Sequence, residues 1–460
     1  MSLSGLKCQK NTWALFRIII ILQYYIFYYY VMFNLEEMGK IDLGDNVFYI
    51  GVDDLKTSLF ESQYIIPDGV SYNSYVICDD KIALLDTVDK IMSEEWKKNL
   101  NCALNNRKPD YLIVHHMEPD HSALIKWVLD EWPSVKLVAT SKAIQMLPNF
   151  FEDLCLDDRV IMVKDGDQLD LGHHKLTFCT APMVHWPEVM MTYDVTDKVL
   201  YSADAFGKFG ALERCGFRGS DDADWACEAR RYYFNIVGKY GNQVKSVMAK
   251  LSGLSIKSIR PLHGPLLEDN LSEYLKLYDT WCQYKPETEG VYIAVASVYG
   301  GTMQAAIKLS DLLKTNGIQK VVISDLCRSD MAENVEHAFQ YSHIVLAAAS
   351  YDGGVFTPMY DFIHRLKEKG FTKRRIALIE NGSWAPCAAR AMCEQLSTFK
   401  NLEILEPVVT IKSRLKSTDM PQLEALVKAM LTYPPSPSEN ISLAHITEGR
   451  VAIATPPKPI

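Results

Sequence analysis

The chain has 460 residues and a formal net charge of −9, with 48 lysines and arginines against 57 aspartates and glutamates. This acidic balance argues against nucleic acid as a partner, because neutralising phosphates requires a basic face. The eleven cysteines are scattered without a Cys-x-x-Cys pair. That usage is typical of a reducing compartment, and we expect a cytoplasmic protein.

The first predicted element is an apolar segment rich in isoleucine and tyrosine, Trp13–Phe33. Its length approaches that of a membrane span, although Arg17 and Gln23 interrupt it. Three interpretations stay open for residues 1–38. The segment is a signal anchor, which would attach the chain to a membrane, or a targeting segment for an organelle. Alternatively it is upstream sequence included by a wrong start codon, which the methionine at position 38 favours.

Four potential metal ligands stand within six residues, directly after the apolar run Tyr111–Val114, which we predict to be a buried strand. Three further strand-like runs are followed in the same way by a histidine or an aspartate. The ligand-type residues are His116, Glu118, Asp120, His121, His185, Asp204 and His263. Loops at strand ends can hold a metal open to substrate. The sequence therefore predicts a dinuclear metal site.

The types of these ligands narrow the choice of metal. Imidazoles and carboxylates without a thiolate disfavour a structural zinc site and suit iron, manganese or zinc. We assign three ligands to each metal and one bridge between metals roughly 3.5–4 Å apart. The first trio is His116, Glu118 and His185, and the second trio is Asp120, His121 and His263. The bridge is Asp204. We expect the remaining nearby histidines to be structural, namely His115, His173 and His174.

In the second half of the chain, five near-continuous apolar runs between Val291 and Val409 alternate with amphipathic stretches. This alternation predicts a doubly wound parallel sheet. The first run leads through hydroxyl residues and glycines directly into a helix, a combination that binds a phosphate monoester. Loops after the third and fourth runs place Tyr351 and Trp384 where a flat ring could lie between them.

These three loops together predict a site for flavin mononucleotide (FMN). Its residues are Ser297, Val298, Tyr299, Gly300, Gly301 and Thr302; Ser350, Tyr351, Asp352 and Gly353; and Asn381, Gly382, Ser383 and Trp384. Composition changes at the polar segment Tyr284–Gly290, which we interpret as a hinge between domains at residues 39–284 and 291–432. Residues 433–460 read as a disordered Pro-rich tail.

Residues 40–432 resemble the flavodiiron proteins (A-type flavoproteins). The family motif His-x-Glu-x-Asp-His, followed by His, Asp and His at long intervals, matches the seven ligand-type residues position by position. The resemblance implies an α/β fold, with an N-terminal metallo-β-lactamase-like αββα sandwich and a C-terminal flavodoxin-like doubly wound parallel sheet. Relatives that hydrolyse with zinc typically carry a histidine in place of Glu118, and a carboxylate there favours iron.

One position departs from the common family pattern. Many members have a histidine near the open metal positions where this chain has Glu61, as in a branch found in anaerobic microbes. Glu61 would lie beside the metals without binding one. This substitution leaves the preference between dioxygen and nitric oxide open.

The resemblance implies an oxidoreductase in which reduced FMN passes electrons to two irons, which reduce dioxygen to water or nitric oxide to nitrous oxide and so detoxify the gas. Electrons would come from a separate protein of the rubredoxin or flavin-reductase type. The working unit would be a head-to-tail homodimer or a dimer of dimers, in which the flavin of one subunit meets the irons of its partner.

Two other functions stay open. One is a zinc-dependent hydrolase of the metallo-β-lactamase type with an attached flavodoxin-like domain. The other is a flavin electron carrier whose lactamase-like half is a degenerate scaffold. Metal content separates the first of these from the flavodiiron function, and the complete ligand set weighs against the second.

Overall fold

The computed structural model describes residues 39–154, 156 and 158–432. The apolar segment Trp13–Phe33 and the Pro-rich tail 433–460 lie outside the described residues, so the interpretations of both stay predictions. Among the helices of the described residues, none combines the length and the apolar character that crossing a membrane requires.

The first half of the described chain is built from short strands and mostly short helices. The strands are β1 (Ile41–Asp42), β2 (Val47–Tyr49), β3 (Val52–Asp54), β4 (Leu59–Phe60), β5 (Tyr64–Ile65), β6 (Val70–Tyr72), β7 (Tyr75–Cys78), β8 (Ile82–Leu85), β9 (Tyr111–Ile113), β10 (Lys136–Thr140), β11 (Val160–Val163), β12 (Gln168–Asp170), β13 (Lys175–Thr180), β14 (Met190–Asp194), β15 (Val199–Tyr201) and β16 (Ser258–Arg260). The α-helices are α1 (Ser93–Leu104), α2 (Pro119–Ser122), α3 (Ile125–Glu131), α4 (Ser141–Phe150), α5 (Leu212–Cys215), α6 (Trp225–Tyr232), α7 (Gly241–Leu251) and α8 (Leu271–Cys282). Single turns of 3-10 helix lie at Lys90–Met92, Gly219–Asp221 and Gly238–Tyr240, and a π-helix lies at Tyr233–Val237.

Two sheets of this half pack face to face. One has the strand order β1-β2-β7-β8-β9-β10-β11, and the other has the order β12-β13-β14-β15-β16. Their facing apolar side chains form one core, which includes Tyr75, Ile113 and Phe178. Helix residues such as Trp96 and Tyr278 belong to a separate cluster on the outer faces. The αββα sandwich expected from the resemblance is thereby confirmed.

The second half is a parallel sheet with helices on both faces. Its strands are β17 (Thr288–Ala296), β18 (Val321–Asp325), β19 (Tyr341–Tyr351), β20 (Gly354–Val355), β21 (Arg374–Asn381), β22 (Leu402–Ile404) and β23 (Val409–Ile411). Its α-helices are α9 (Gly301–Thr315), α10 (Met331–Gln340), α11 (Thr357–Glu368), α12 (Ala388–Leu396) and α13 (Met420–Thr432), with a 3-10 turn at Ser417–Asp419.

The strand order β18-β17-β19-β21-β22, with β23 also beside β21, is the flavodoxin-like 2-1-3-4-5 order. The predicted doubly wound parallel sheet is therefore confirmed. The fifth apolar run differs in detail, because it forms two short strands, β22 and β23, instead of one. Pro407 lies between them, and proline cannot donate a backbone hydrogen bond to a neighbouring strand.

Side-chain contacts fill the junction between the two halves. The Glu287 carboxylate, one residue before β17, accepts hydrogen bonds from Arg230 Nε at 2.7 Å and from the Trp281 indole at 2.8 Å. The ring of Phe234 stacks on that of Phe339 with 4.1 Å between ring centres. Because these groups are buried or nearly so, each half covers apolar surface of the other.

Candidate functional site

The structure brings all seven predicted metal ligands together at one edge of the sandwich, beyond the carboxyl ends of β9, β13, β15 and β16. The short helix α2 begins with Pro119 at its first position, directly after Glu118, and its single turn carries two of the ligands. The ligand atoms form two compact groups, which are His116, Glu118, His185 and Asp204, and Asp120, His121 and His263. These are the two trios and the bridge that the sequence predicted.

Asp204 turns one carboxylate oxygen toward each group. Its Oδ2 lies 3.2 Å from His116 Nε2 and 3.0 Å from His185 Nε2. Its Oδ1 lies 3.5 Å from His121 Nε2 and 3.7 Å from His263 Nε2. One carboxylate that faces two sets of imidazole nitrogens has the geometry of a ligand shared between two cations.

The remaining ligand-type atoms of each group converge on a common point. In the first group, Glu118 Oε2 lies 3.2 Å from His116 Nε2 and 3.1 Å from His185 Nε2. In the second group, the Nε2 atoms of the two histidines face each other at 2.9 Å, and Asp120 Oδ2 lies 3.4 Å from one and 3.3 Å from the other. Each group therefore surrounds a position that a small cation would fill.

Hydrogen bonding supports occupation of these positions by cations. Both carboxylate oxygens of Asp204 and of Asp120 are buried and accept no hydrogen bond within the described residues, and His185 Nε2 is in the same situation. Buried polar atoms without partners cost free energy unless a partner of another kind is present. Nitrogen and oxygen donors in this number suit iron, manganese or zinc. The site is therefore suited to two metal ions.

The charges at this site act on one another. Burial alone would raise the pKa of Asp204, but contact with His116 and the other imidazoles lowers that pKa well below its usual range. Burial alone would lower the pKa of His185, but Asp204 and Glu118 raise it to about 9. The Asp204 carboxylate therefore stays ionised at neutral pH, which is the state that binds a cation.

A buried glutamate that the sequence analysis missed orients the first group. Glu188 Oε1 accepts hydrogen bonds from His116 Nδ1 at 2.8 Å and from the Met117 backbone N–H at 2.8 Å. In the second group, His263 Nδ1 donates to the Ser71 carbonyl at 2.8 Å. Both histidines therefore direct Nε2 to the centre, as metal-binding histidines do. The available signal was that Glu188 lies in the same loop as His185.

The other histidines lie outside both groups. His115 Nδ1 bonds to Asp86 and its Nε2 lies 2.7 Å from the Thr192 hydroxyl, so it links the two sheets. His174 Nδ1 lies 2.6 Å from Asp194, and its Nε2 lies 2.7 Å from the Asp45 carbonyl. His174 and its acidic neighbours form a third group of ligand-type residues, but both ring nitrogens of His174 already have partners.

Two further residues border the metal centre. Glu61 is at the tip of the β4–β5 hairpin, where partial burial raises the pKa of its carboxyl and the charge of Glu118 raises it further. Glu61 belongs to neither ligand group. Tyr232 has a fully buried hydroxyl without a hydrogen-bond partner among the described residues, and its ring centre lies 5.6 Å from that of His263. The sequence contains no signal for Tyr232, because its neighbours form an ordinary helix pattern.

The three loops predicted for FMN meet at the carboxyl edge of the parallel sheet, after β17, β19 and β21. Asn381 Nδ2 donates to the Thr302 hydroxyl at 3.2 Å, and Asn381 Oδ1 accepts from the Ser413 N–H at 2.9 Å. A Cβ atom on Gly301 would lie 2.0 Å from the Ser413 carbonyl, so only glycine fits there. The loop after β23, which carries Ser413, is a fourth part of this edge that the sequence analysis did not identify.

Large aromatic side chains are exposed around this edge. Tyr299 is 98% exposed, Trp384 is 89% exposed and Tyr351 is about half exposed. Glycines at the start of α9 leave its amino end open beside them, where backbone N–H groups attract a phosphate. A ligand with a flat ring and a phosphate would cover the aromatic rings, so these residues fit FMN.

Comparison with known proteins agrees with this architecture. A family model described as "ODP family beta lactamase" matches residues 70–264. The chain is 31% identical over 314 residues to a putative diflavin flavoprotein A 1 of Nostoc sp., which is 67% of this chain and 53% of the relative. It is 27% identical over 392 residues to the anaerobic nitric oxide reductase flavorubredoxin of Salmonella arizonae, which is 84% of this chain and 80% of that relative. The chain spans about half the length of the diflavin flavoproteins that it matches.

Solved structures share the fold of the whole described chain. Rubredoxin oxygen:oxidoreductase of Desulfovibrio gigas superposes with a TM-score of 0.77 at 22% identity, covering 85% of this chain and 98% of that one. The flavodiiron protein of Giardia intestinalis superposes with a TM-score of 0.76 at 22% identity, covering 85% and 97%. Both likenesses extend across the sandwich and the parallel sheet.

Proposed function

We propose that this chain, which belongs to the flavodiiron (A-type flavoprotein) family, is an oxidoreductase that reduces dioxygen to water, or nitric oxide to nitrous oxide. Its electrons would reach a pair of irons from FMN. One observation carries the proposal. Asp204 faces two groups of nitrogen and oxygen ligands, and the same chain has a parallel sheet with loops at its carboxyl edge that fit FMN. The names of relatives that reduce nitric oxide or dioxygen support it.

The protein's part in this function is to hold and shield the metals. The residues that would hold the two irons are His116, Glu118 and His185 for one, Asp120, His121 and His263 for the other, and Asp204 for both. When bound, the irons would supply electrons together with open positions for a diatomic gas. The rings of Phe60 and Tyr232 pack against His263 and would limit the access of water from that side of the centre.

The flavodoxin-like half would hold FMN by its phosphate and ring. Ser297–Thr302 and the amino end of α9 would bind the phosphate, because this segment combines hydroxyls with open backbone N–H groups. Tyr351 and Trp384 would bracket the ring. Bound FMN would supply the store of electrons from which the metal centre draws.

Three parts of the function concern other molecules and the cell. We propose a separate electron-donor protein, of the rubredoxin or flavin-reductase type, in line with the similarity to rubredoxin oxygen:oxidoreductase of Desulfovibrio gigas. We propose a head-to-tail dimer or a dimer of dimers, because in one chain the two sites need not face each other, whereas a two-fold pairing satisfies both at once. A cytoplasmic location stays a prediction from the sequence.

The dimer has a direct test by mixing two inactive variants. His263→Ala removes a metal ligand, and Thr302→Glu places a carboxylate beside the flavin phosphate. If flavin and metals meet across subunits, mixed dimers regain one working flavin–metal pair and therefore part of the activity. Mixed dimers without activity, or a fully active monomer in sedimentation at assay concentration, would rule the pairing out.

The reaction itself is tested on the purified protein. Elemental analysis after growth in iron-rich medium should give two irons per chain, and the absorbance spectrum should give one FMN. Anaerobic stopped-flow mixing of reduced protein with each gas should show flavin and metal reoxidation, and the faster gas identifies the substrate. Stoichiometric zinc without iron would instead support the hydrolase alternative.

A further inference from the structure

The β4–β5 hairpin lies beside the metal centre. The Phe60 ring stands edge-on to the His263 ring, with 5.3 Å between ring centres. The same ring packs against Phe209 and Tyr232, with 5.4 Å and 6.3 Å between ring centres. His263 belongs to the second ligand group, so the hairpin lies beside that metal position.

The tip of this hairpin has a conformation that its own residues do not favour. Glu61 and Ser62 both have left-handed backbone angles, with φ of 47° and 58°. Hairpin turns of this kind usually contain glycine, asparagine or aspartate. Within the turn, the Gln63 N–H donates to the Phe60 carbonyl at 3.0 Å, and Gln63 Nε2 donates to Glu61 Oε2 at 3.2 Å. Contacts outside the turn help to maintain a backbone of this kind.

Those contacts come from the second strand of the hairpin and reach the flavodoxin-like half. Lys369, directly after α11, donates from Nζ to the Tyr64 hydroxyl at 3.2 Å and to the Asn235 carbonyl. The Tyr64 hydroxyl in turn donates to the Asn235 carbonyl at 3.0 Å. Burial lowers the pKa of Lys369, and the charge of nearby Glu61 opposes that shift only in part.

A second contact holds the next residue of the same strand. The guanidinium of Arg231 donates to the Ile65 carbonyl and also pairs with Asp330 of the flavodoxin-like half at 3.0 Å. Hydrogen bonds therefore hold Tyr64 and Ile65, two consecutive residues of the hairpin. Lys369 of the flavodoxin-like half donates the first bond, and Asp330 of that half pairs with the arginine that donates the second. Lys369 makes the direct contact, because its own ammonium group crosses the junction between the two halves.

We propose that Lys369 is a positioning residue for the metal centre, which fixes Tyr64 and thereby keeps Phe60 beside His263 of the second ligand group. Lys369 acts through the hairpin and touches neither the metals nor a gas. A residue of the flavodoxin-like half would therefore govern how closely the metal centre of its own chain is covered. The effect on turnover rests on the proposed function, whereas the effect on the hairpin does not.

The test compares Lys369→Met with Lys367→Met in the full chain. Methionine keeps the apolar stem and removes the ammonium, and Lys367 is an exposed lysine in the last turn of the same helix. Hydrogen exchange measured by mass spectrometry should show backbone amides of residues 58–66 exchanging about tenfold faster in Lys369→Met. About tenfold is the change in local opening expected when a hydrogen bond from a charged group is lost. Exchange in strand β8 should not change, and Lys367→Met should match the wild type.

Tyr64→Phe provides a second variant, which keeps the ring and removes only the hydroxyl that accepts the hydrogen bond from Lys369. It should accelerate the same amides, and it decides the question if Lys369→Met does not fold. Unchanged exchange of residues 58–66 in the folded variants would overturn the proposal, as would acceleration spread evenly over the whole chain.

A second readout follows access to the metals. EDTA should withdraw metal several-fold faster from metal-loaded Lys369→Met and Tyr64→Phe than from the wild type or Lys367→Met. In steady-state assays, KM for the gas should change more than kcat, since the ligands themselves are untouched. If the wild type reduces neither gas, the proposed function fails while hydrogen exchange and metal withdrawal still decide the role of Lys369. Equal withdrawal rates in all four proteins would contradict the role of the hairpin as a cover.

Discussion

Replacing Glu188 by glutamine tests most directly how the metal centre is organised. Glu188 is 2% exposed, and its Oε1 accepts one hydrogen bond from His116 Nδ1 and one from the Met117 backbone, each at 2.8 Å. Glutamine has the same shape and retains one oxygen that accepts both bonds. The change therefore removes the negative charge behind His116 without opening a cavity.

The size of the effect follows from two changes. A hydrogen bond from His116 to a neutral oxygen is weaker than one to a carboxylate, by about 1 kcal/mol. The new NH2 group takes the place of Oε2, which is buried without a partner in the described structure, and burying a donor there costs about 1–3 kcal/mol. Residues that orient metal-binding histidines typically contribute about 10- to 100-fold in metal affinity. We expect a loss in that range, confined to the group that contains His116.

The assay is a titration of metal-free protein with iron(II) or a spectroscopically visible substitute in competition with a chelator. Wild type should show two binding steps, and Glu188→Gln should weaken one of them. Glu131→Gln, at the exposed end of α3, is the matched control and should leave both steps unchanged. Equal affinity in wild type and Glu188→Gln, or equal weakening of both steps, would refute the assignment of Glu188 to one group.

Three further predictions address the bridging aspartate, the loops predicted to bind FMN and an ion pair outside both sites. Asp204→Ala should lose both metals and keep its flavin, because the two carboxylate oxygens face both groups; metal analysis and flavin absorbance of one sample check this. Thr302→Glu should purify with little flavin and normal metal, since like charges about 4 Å apart cost on the order of 4 kcal/mol at an effective dielectric of 20; yellow protein would contradict it. Burial lowers the pKa of His174, but Asp194 raises it to about 9, so this pair stabilises the fold fully below about pH 6.5 and loses its contribution as pH rises through about 9. Urea midpoints should therefore fall more over that interval in wild type than in His174→Gln, and parallel curves would exclude the pair's role.

The sequence was sufficient to predict which residues meet at the metal centre, because ligand-type side chains recur directly after strand-like runs. Strands β8, β9 and β10 run parallel to one another, as β15 does to β16, so loops after them collect at one edge. His121 and His263 therefore meet, with 2.9 Å between their Nε2 atoms, although they lie 142 positions apart in the chain. The same reasoning placed Ser297 and Asn381 at one edge of the second sheet.

Features that depend on packing between distant segments could not be predicted in this way. Glu188 bonds to His116 across a gap of 72 residues, and no periodic pattern marks a buried carboxylate as an orienting group. The contact of Lys369 with Tyr64 joins residues 305 apart in different halves. The split of the fifth run into β22 and β23 is a different case, because Pro407 lies within the run and proline is disfavoured inside a paired strand.

One short segment connects the two functional regions of the chain. The end of α6 and the π-helix that follows it carry Tyr232, whose ring borders His263, and Phe234, whose ring stacks on Phe339 of the flavodoxin-like half. Asn235 in the same π-helix donates to the Ala332 carbonyl at 3.1 Å. Since π-helical turns often occur at functional sites, this geometry is consistent with a functional role. Neighbouring residues of one turn therefore contact both the metal centre and the junction between the halves, so a change in this turn should affect both regions.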